Sequence, residues 1–306
     1  MNKKLAIFFL STGAIGAEVL AAEIDVYKLD DVIITSTNLK QSTSKSARPV
    51  TVLSGDELRT KVGQTLGDTL KNEPGITSQS FGPGVGTPVI RGQSGPRVRV
   101  MQNSLGNNDV STLSPDHANG VNPIIAERIE VLRGPSTLLY GNGAIGGVVN
   151  VIDNRIPELV PGKLLGGAVE QRYDSAANMT SSALKLDGGK DHFAYHLDGF
   201  YNDQGNVHIG GQQIDESAAR ATDPTLEGTP VLENPAGVIK NSTARSRGGS
   251  AGASLISEVG LVGAAINRLE NNYGIPPNRT WFGSSEFLLM DYPCHLEDCR
   301  NYFPDY

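Results

Sequence analysis

The segment HFAYHLDGFYND, residues 192–203, alternates. In an extended chain Phe193, Tyr195, Leu197 and Tyr201 share one side, and Ala194, His196 and Asp198 share the other, because successive Cβ atoms of a strand point to opposite faces. The same period of two runs through KLLGGAVEQRYDS (163–175). There Leu165, Gly167, Val169 and Tyr173 oppose Glu170, Arg172 and Asp174. It returns in LVGAAINRLENN (261–272), where Leu261 and Ala265 are set against Arg268. About five such segments are expected, at 164–174, 178–187, 192–202, 244–256 and 260–271, each near the ten residues or so of a tilted membrane strand. Tyr173, Tyr195, Tyr201 and Tyr273 stand near strand ends, as an interfacial girdle would. The stretch 203–243, rich in Gly, Asp, Pro and Thr, reads as one long loop. Alternation by itself also fits a soluble, half-buried sheet.

The N-terminus bears on that choice. Lys3-Lys4 precedes an apolar run from Leu5 to Ile15, and EVLAAE comes next with small residues around Ala22. This is the pattern of a cleaved export signal covering residues 1–22, too short for a spanning helix. The net charge of −7 leaves no basic stripe for phosphates, so a nucleic-acid partner is not expected. Cys294 and Cys299 are the only two cysteines. Their spacing suits a loop disulfide in an oxidising compartment; with His295 they could also offer metal ligands.

Between signal and alternating segments lies different sequence. Residues 23–45 read as a flexible tail holding one β-prone run, Val32 to Thr35, either a strand for another chain's sheet edge or the first strand of the domain. Val50 to Leu53 is a strand, and Ser54 with Glu57 has capping-box spacing. Gly63 and Gly67 should divide the helical stretch beyond Ser54 into two short helices that stop at Asn72-Glu73-Pro74-Gly75. Strands are expected at Val89–Gly92, Val98–Met101 and Arg128–Leu132, with a helical turn at Ile124–Ala126. Gly141-Asn142-Gly143-Ala144-Ile145-Gly146 spells a dinucleotide-binding pattern, but that pattern must open a helix to bind phosphate. Here it runs into Gly147-Val148-Val149-Asn150-Val151-Ile152, a poor helix and a good strand. A small α+β domain over 46–156 results, a normal domain size.

These pieces together resemble a TonB-dependent outer-membrane receptor. Asp31-Val32-Ile33-Ile34-Thr35 is similar to the TonB box, and Val89-Ile90-Arg91-Gly92 to the plug's "IRG" segment. Glu127 to Pro135 (ERIEVLRGP) and Tyr140 to Ile152 resemble the family's plug motifs in the same order. The resemblance implies an α+β plug, 46–156, inside a transmembrane antiparallel β-barrel of about 22 strands, the first of which would lie in 160–306. Since about five strands cannot close round a plug, the chain is expected to be the N-terminal part of a longer receptor. The resemblance also implies roles. Asp31–Thr35 would bind TonB. Glu130 and Arg133 would pair with lumen charges, and Arg91, Gly92, Gly134, Gly141, Gly143, Gly146 and Gly147 would let plug backbone pack within its own sheet and against the lumen wall.

NDVSTLSPDHANGVNP (108–123) is similar to a plug loop of the zinc-uptake branch, which makes Asp116 and His117 candidate zinc ligands; the chemistry suits a site that must capture and release. Ser-Pro-Asp-His is equally good turn chemistry. NNYGIPP (271–277) also looks like that branch. The expected function is TonB-driven import of a scarce nutrient, zinc first, across the outer membrane. A siderophore, haem or cobalamin cargo, or a surface adhesin, is the alternative. No catalytic set and no catalytic cofactor are expected; zinc or a metal chelate would be cargo, and TonB and outer-membrane lipid the partners.

Overall fold

The structure is a computed structural model describing residues 50–107, 109–134, 137, 140, 141, 143–222 and 234–276, with the backbone of 32–33 and 41–42. The expected export signal, most of the tail, and Cys294 and Cys299 lie outside the described residues. Of the TonB-box-like run only Val32–Ile33 (β1) is described; it pairs antiparallel with Gln41–Ser42 (β2).

The domain proper begins with β3 (Val50–Ser54), α1 (Gly55–Lys61) and α2 (Leu66–Leu70). Ser54 occupies the N-cap of α1 but makes no side-chain cap bond, so the expected capping box does not form; Glu57 is instead engaged by Lys61, one turn on. Thr65 does cap α2, accepting from the Asp68 amide at 3.1 Å. A hairpin comes next, β4 (Ile76–Gly82) and β5 (Val85–Ile90), of which the sequence pattern shows only the end of β5. Beyond it lie β6 (Val98–Gln102), β7 (Leu105–Gly106), β8 (Arg128–Leu132) and β9 (Gly147–Ile152). The sheet order is β3-β8-β9-β6-β7, with β6 and β9 parallel. A 3-10 turn at Pro123–Ile125 stands close to the expected helical turn.

The valines explain this sheet. Val149, Val151, Val131 and Ile129 are solvent-free and pack with Leu53, Leu58, Leu66 and Leu70 from β3 and the two helices. On the other face Val148 and Leu132 meet Met101 and Ala144. With both faces covered, β9 reads as a nearly continuous apolar run, as buried strands do, while β8 keeps its alternation with Glu130 buried against Arg128.

Pro157 and Pro161 lead to β10 (Gly166–Asp174), β11 (Met179–Lys190) and β12 (Phe193–Gln204). The region expected to be one loop contains a hairpin of β13 (His208–Gln212) and β14 (Ala236–Val238), and α3 (Glu216–Thr222). Strands this short, in Gly-rich sequence, carry too few residues for a period to show. The long strands β15 (Ala244–Ser257) and β16 (Gly260–Tyr273) complete an antiparallel sheet, order β10-β11-β12-β15-β16. Tight turns join β11 to β12 and β15 to β16 at one end. The connection from β12 to β15 leaves and returns at the other end, a pattern like the unequal loops of outer-membrane barrels.

The large exposed hydrophobics of this second sheet lie mostly on its outer face, with Arg245, Arg247, Arg268 and Glu270 beside them, and most of its buried polar groups lie on the inner one. Burial along β12 alternates strictly, with Ala194, His196, Asp198, Phe200, Asn202 and Gln204 buried. Registered partners lie on the same face, so Leu184, Leu197, Ala251 and Ile266 share the exposed side. The inner side carries Arg172, Lys185, Asp187, His196, Asp198, Ser250 and Ser254. In β16 Leu261 and Ala265 stand opposite Arg268, as the alternation requires, but they take the inner face, and the most exposed apolar residues, Val262 and Ile266, share the outer face with Arg268. Tyr273 also falls on the inner face, against the plug, whereas Tyr173 and Tyr201 are exposed as a girdle requires.

Candidate functional site

The loop 109–120 is built from its own polar side chains. Asp109 caps a 3-10 turn through the Ser111 amide (3.0 Å) and closes the loop base by accepting from the Gly120 amide and the Asn107 side chain, each at 2.6 Å. At the tip, the His117 amide donates to the Ser114 carbonyl at 3.2 Å, which makes Ser114–His117 a turn. The Ser114 hydroxyl donates to Asp116 Oδ1, and His117 Nδ1 lies 3.0 Å from the same oxygen. Burial works to raise the Asp116 carboxyl, but the Ser114 hydroxyl and His117 overcome it and hold the group below the usual carboxylate range. An ionised Asp116 requires Nδ1 to carry the proton, which leaves the lone pair of His117 on Nε2, the arrangement that orients an imidazole for a metal. Both side chains are accessible, at 31% and 45% exposure. Among the described residues no third His, Cys, Asp or Glu joins them; the turn is formed, and it presents the two side chains together.

Polar bonds tie the plug to the second sheet, which forms a wall beside it. Arg172 donates to the carbonyls of Val62 and Arg59, each at 2.7 Å, at the end of α1. Lys185 bridges Glu127 of the plug and Asp187 of the wall, and Asn154 donates to Asp187 at 3.0 Å. His196 stands between two carboxylates, Nδ1 2.6 Å from Asp187 and Nε2 2.8 Å from Asp198. Because carboxylates only accept, both ring nitrogens donate and the ring is an imidazolium. Asp198 also accepts from the Ser250 amide at 3.1 Å. A space of about 470 Å³ runs between α1 and β10–β12, lined by Arg59, Glu127, Arg172 and Lys185 among others.

The remaining sequence-derived site residues fall inside the plug. Arg91 and Gly92, at φ 52° and 75°, form the tight turn closing Ile90 onto Gln93, so the expected strand ends at Ile90. Fully buried Glu130 pairs with Arg128 at 2.8 Å, and Arg133 donates to Thr51 at 2.9 Å, both within the plug. Burial, and then Arg91, lowers the Arg133 guanidinium below its ordinary value. Gly134, Gly141 and Gly143 have positive φ. A side chain at Gly147 would meet Ile90 Cδ1 at 2.7 Å and the Leu132 carbonyl at 2.9 Å, and one at Gly146 would meet Gln93. Gly146 and Gly147 therefore serve packing within the plug, whereas Gly92 and Gly134 have open space where a Cβ would stand and serve the backbone turn. Close approach to the wall falls to others, notably Gly84 against Tyr273 and Gly252 against the Arg155 carbonyl.

Sequence reasoning missed Lys185, Arg172 and the bond from the Ala118 amide to the Tyr273 hydroxyl, 3.1 Å. The polar parity of β10 and β11 pointed to the first two. Nothing in the sequence joined residues 155 positions apart.

Residues 42–148 match the TonB-dependent Receptor Plug Domain, and the chain carries such a plug followed by antiparallel strands like those that begin a TonB-dependent barrel. It is 27% identical over 228 residues to "Vitamin B12 transporter BtuB" of Photobacterium profundum, covering 69% of this chain and 37% of that protein. It is 31% identical over 156 residues to "Hemin receptor" of Yersinia pestis, covering 49% and 22%. Its fold is similar to that of "Copper transporter OprC", with a TM-score of 0.56 and 18% identity over 75% of this chain and 31% of the other. The chain spans under two fifths of the length of each of these proteins.

Proposed function

We propose that this chain forms the plug and adjoining wall of an outer-membrane importer that TonB drives through residues 31–35. Its cargo is a metal-bearing nutrient met by the apical turn Asp116–His117. The observation that carries the membrane reading is the wall's inverted burial: an imidazolium, aspartates and serines inside, leucines, valines and isoleucine outside. Water would reverse that order; a bilayer favours it. The names of the relatives support a chelated metal, as in a corrinoid or haem, as the cargo class. Bare zinc, suggested by the resemblance of Ser114–Ala118, is the second reading and rests on Asp116 and His117 alone. Two protein ligands suit a chelate whose metal already has most of its coordination filled.

Deleting residues 31–35 from the full-length receptor should abolish uptake while cells still bind the cargo. An adhesin on the same scaffold would keep its activity. Uptake of zinc, cyanocobalamin and hemin, each measured with Asp116→Ala and His117→Ala, decides the cargo: the affected probe is the cargo, and indifference of all three removes the metal-bearing reading.

A further inference from the structure

We propose that Tyr273 is a positioning residue for Asp116 and His117, holding the cargo turn to the wall through its hydroxyl; this rests on the function proposed above. Tyr273 ends β16 on the inner face, and its hydroxyl accepts from the amide of Ala118, the residue after His117. Among the described residues this is the one hydrogen bond from 113–119 to the wall. The loop base is fixed by Asp109, but the tip has no other such tie.

Other parts of the molecule converge on the same side chain. The ring lies against Gly84 of the β4–β5 hairpin, where an added Cβ would be 2.4 Å from Tyr273 Cβ. A Cβ added at Gly82 would lie 2.7 Å from Pro276 Cδ. The chain beyond Tyr273 is pinned by the Gly274 amide on the Thr243 carbonyl, 2.9 Å, and by Asn241 on the Ile275 carbonyl, 2.8 Å. The hydroxyl is therefore carried on the wall's frame, whereas the turn's other bonds lie within its own loop. Beside it, a cavity of about 30 Å³ is lined by Gln64, Asn119 and Tyr273. Gln64 Oε1 and Asn119 Nδ2, both buried, have no hydrogen-bond partner there; Asn119 Oδ1 accepts from the Ser111 hydroxyl at 2.8 Å, a bond within the loop, so neither side chain ties the turn to the wall. Removing the hydroxyl should let the turn sample other orientations and lower the fraction of time that Asp116 and His117 face cargo together.

Tyr273→Phe in the full-length receptor keeps the ring on Gly84 and removes only the acceptor. With zinc, cyanocobalamin and hemin as separate probes, the half-saturating concentration should rise about tenfold, the effect of one neutral hydrogen bond. That rise should appear for the probe whose uptake needs Asp116 and His117, with maximal rate unchanged. Amide exchange over Ala118–Gly120 should quicken in the same variant. If Asp116→Ala or His117→Ala loses uptake but Tyr273→Phe leaves half-saturation and exchange as they were, the positioning role is wrong and the cargo turn stands. A fall in maximal rate alone would make Tyr273 merely structural. If neither Ala variant changes any probe, the cargo turn and the positioning role fall together.

Discussion

The plug and the wall each contain a five-stranded sheet, yet the two bury opposite chemistry. The plug sheet hides Val131, Val149, Val151 and Ile129 and needs the hydrophobic effect in the ordinary sense. The wall sheet hides His196, Asp198, Ser250 and Ser254 and leaves Val169, Leu197, Val262 and Ile266 outside. Both come from one chain with one alphabet, so the difference lies in what each surface meets. A polar surface can be buried when every group finds a partner, and the wall finds its partners in itself and in the plug. An apolar surface can stay outside when the outside is not water. Among the described residues no helix is long and apolar enough to cross a membrane, so a span built from them would use strands.

Substitutions can break this comparison, and their expected effects fall in order. Asp198→Ala strips one carboxylate from a buried imidazolium, both groups almost solvent-free. It should cost about 3–5 kcal/mol, the cost of breaking a buried ion pair by removing one partner, with Asp187 left as the ring's remaining carboxylate, read as a lower unfolding midpoint of the receptor in lipid. Ile129→Ala in the plug core should cost about 2–5 kcal/mol through its cavity, measured by denaturant titration of the full-length receptor with a probe in the plug. Ile266→Arg, on the exposed wall face, should cost about 2–4 kcal/mol in a bilayer if it sits near the midplane. In water the same exposed position would tolerate Arg with little effect, so this variant separates the two environments. Lys185→Met should cost about 1 kcal/mol or less, because its contact with Glu127 is part-exposed and screened; a larger loss would make that pair a principal tie of plug to wall.

A pH titration sharpens the plug side. Burial works to raise the Asp153 carboxyl, but bonds from Arg155 and Asn103 outweigh it and depress the group. A depressed carboxylate stabilises the fold above its unfolded value, about 3.9. That contribution is lost as pH falls through the lower, folded value. Wild-type plug stability should therefore drop below about pH 4, and Asp153→Asn should remove that part of the slope.

The five wall strands are legible in the sequence because alternation over ten or more residues is hard to mistake, as in 192–203. Face assignment is harder in β16, where Leu261, Val262, Ala264 and Ala265 put apolar residues on both sides and only the register with β15 resolves them. β13, β14 and α3 escape because each is too short to show a period. In the plug Gly146 and Gly147 are closely packed, but a one-dimensional pattern cannot say whether the neighbour is wall or sheet. For the candidate site, the Asp116–His117 pair is visible by adjacency. The hydroxyl of Tyr273 reaches it only through the folded barrel wall, and by position alone that same tyrosine resembles a girdle residue.

The most direct test of the account is a scan of spin labels along β16 of the full-length receptor in a lipid bilayer. Oxygen, which concentrates in lipid, and a water-soluble nickel chelate would serve as competing relaxants. Labels at Val262, Ala264 and Ile266 should be relaxed by oxygen and ignored by the chelate, while labels at Leu261, Ala265 and Asn267 should be shielded from oxygen. Chelate access at 262, 264 and 266, or no alternation at all, would contradict a wall that faces lipid outside and the plug within.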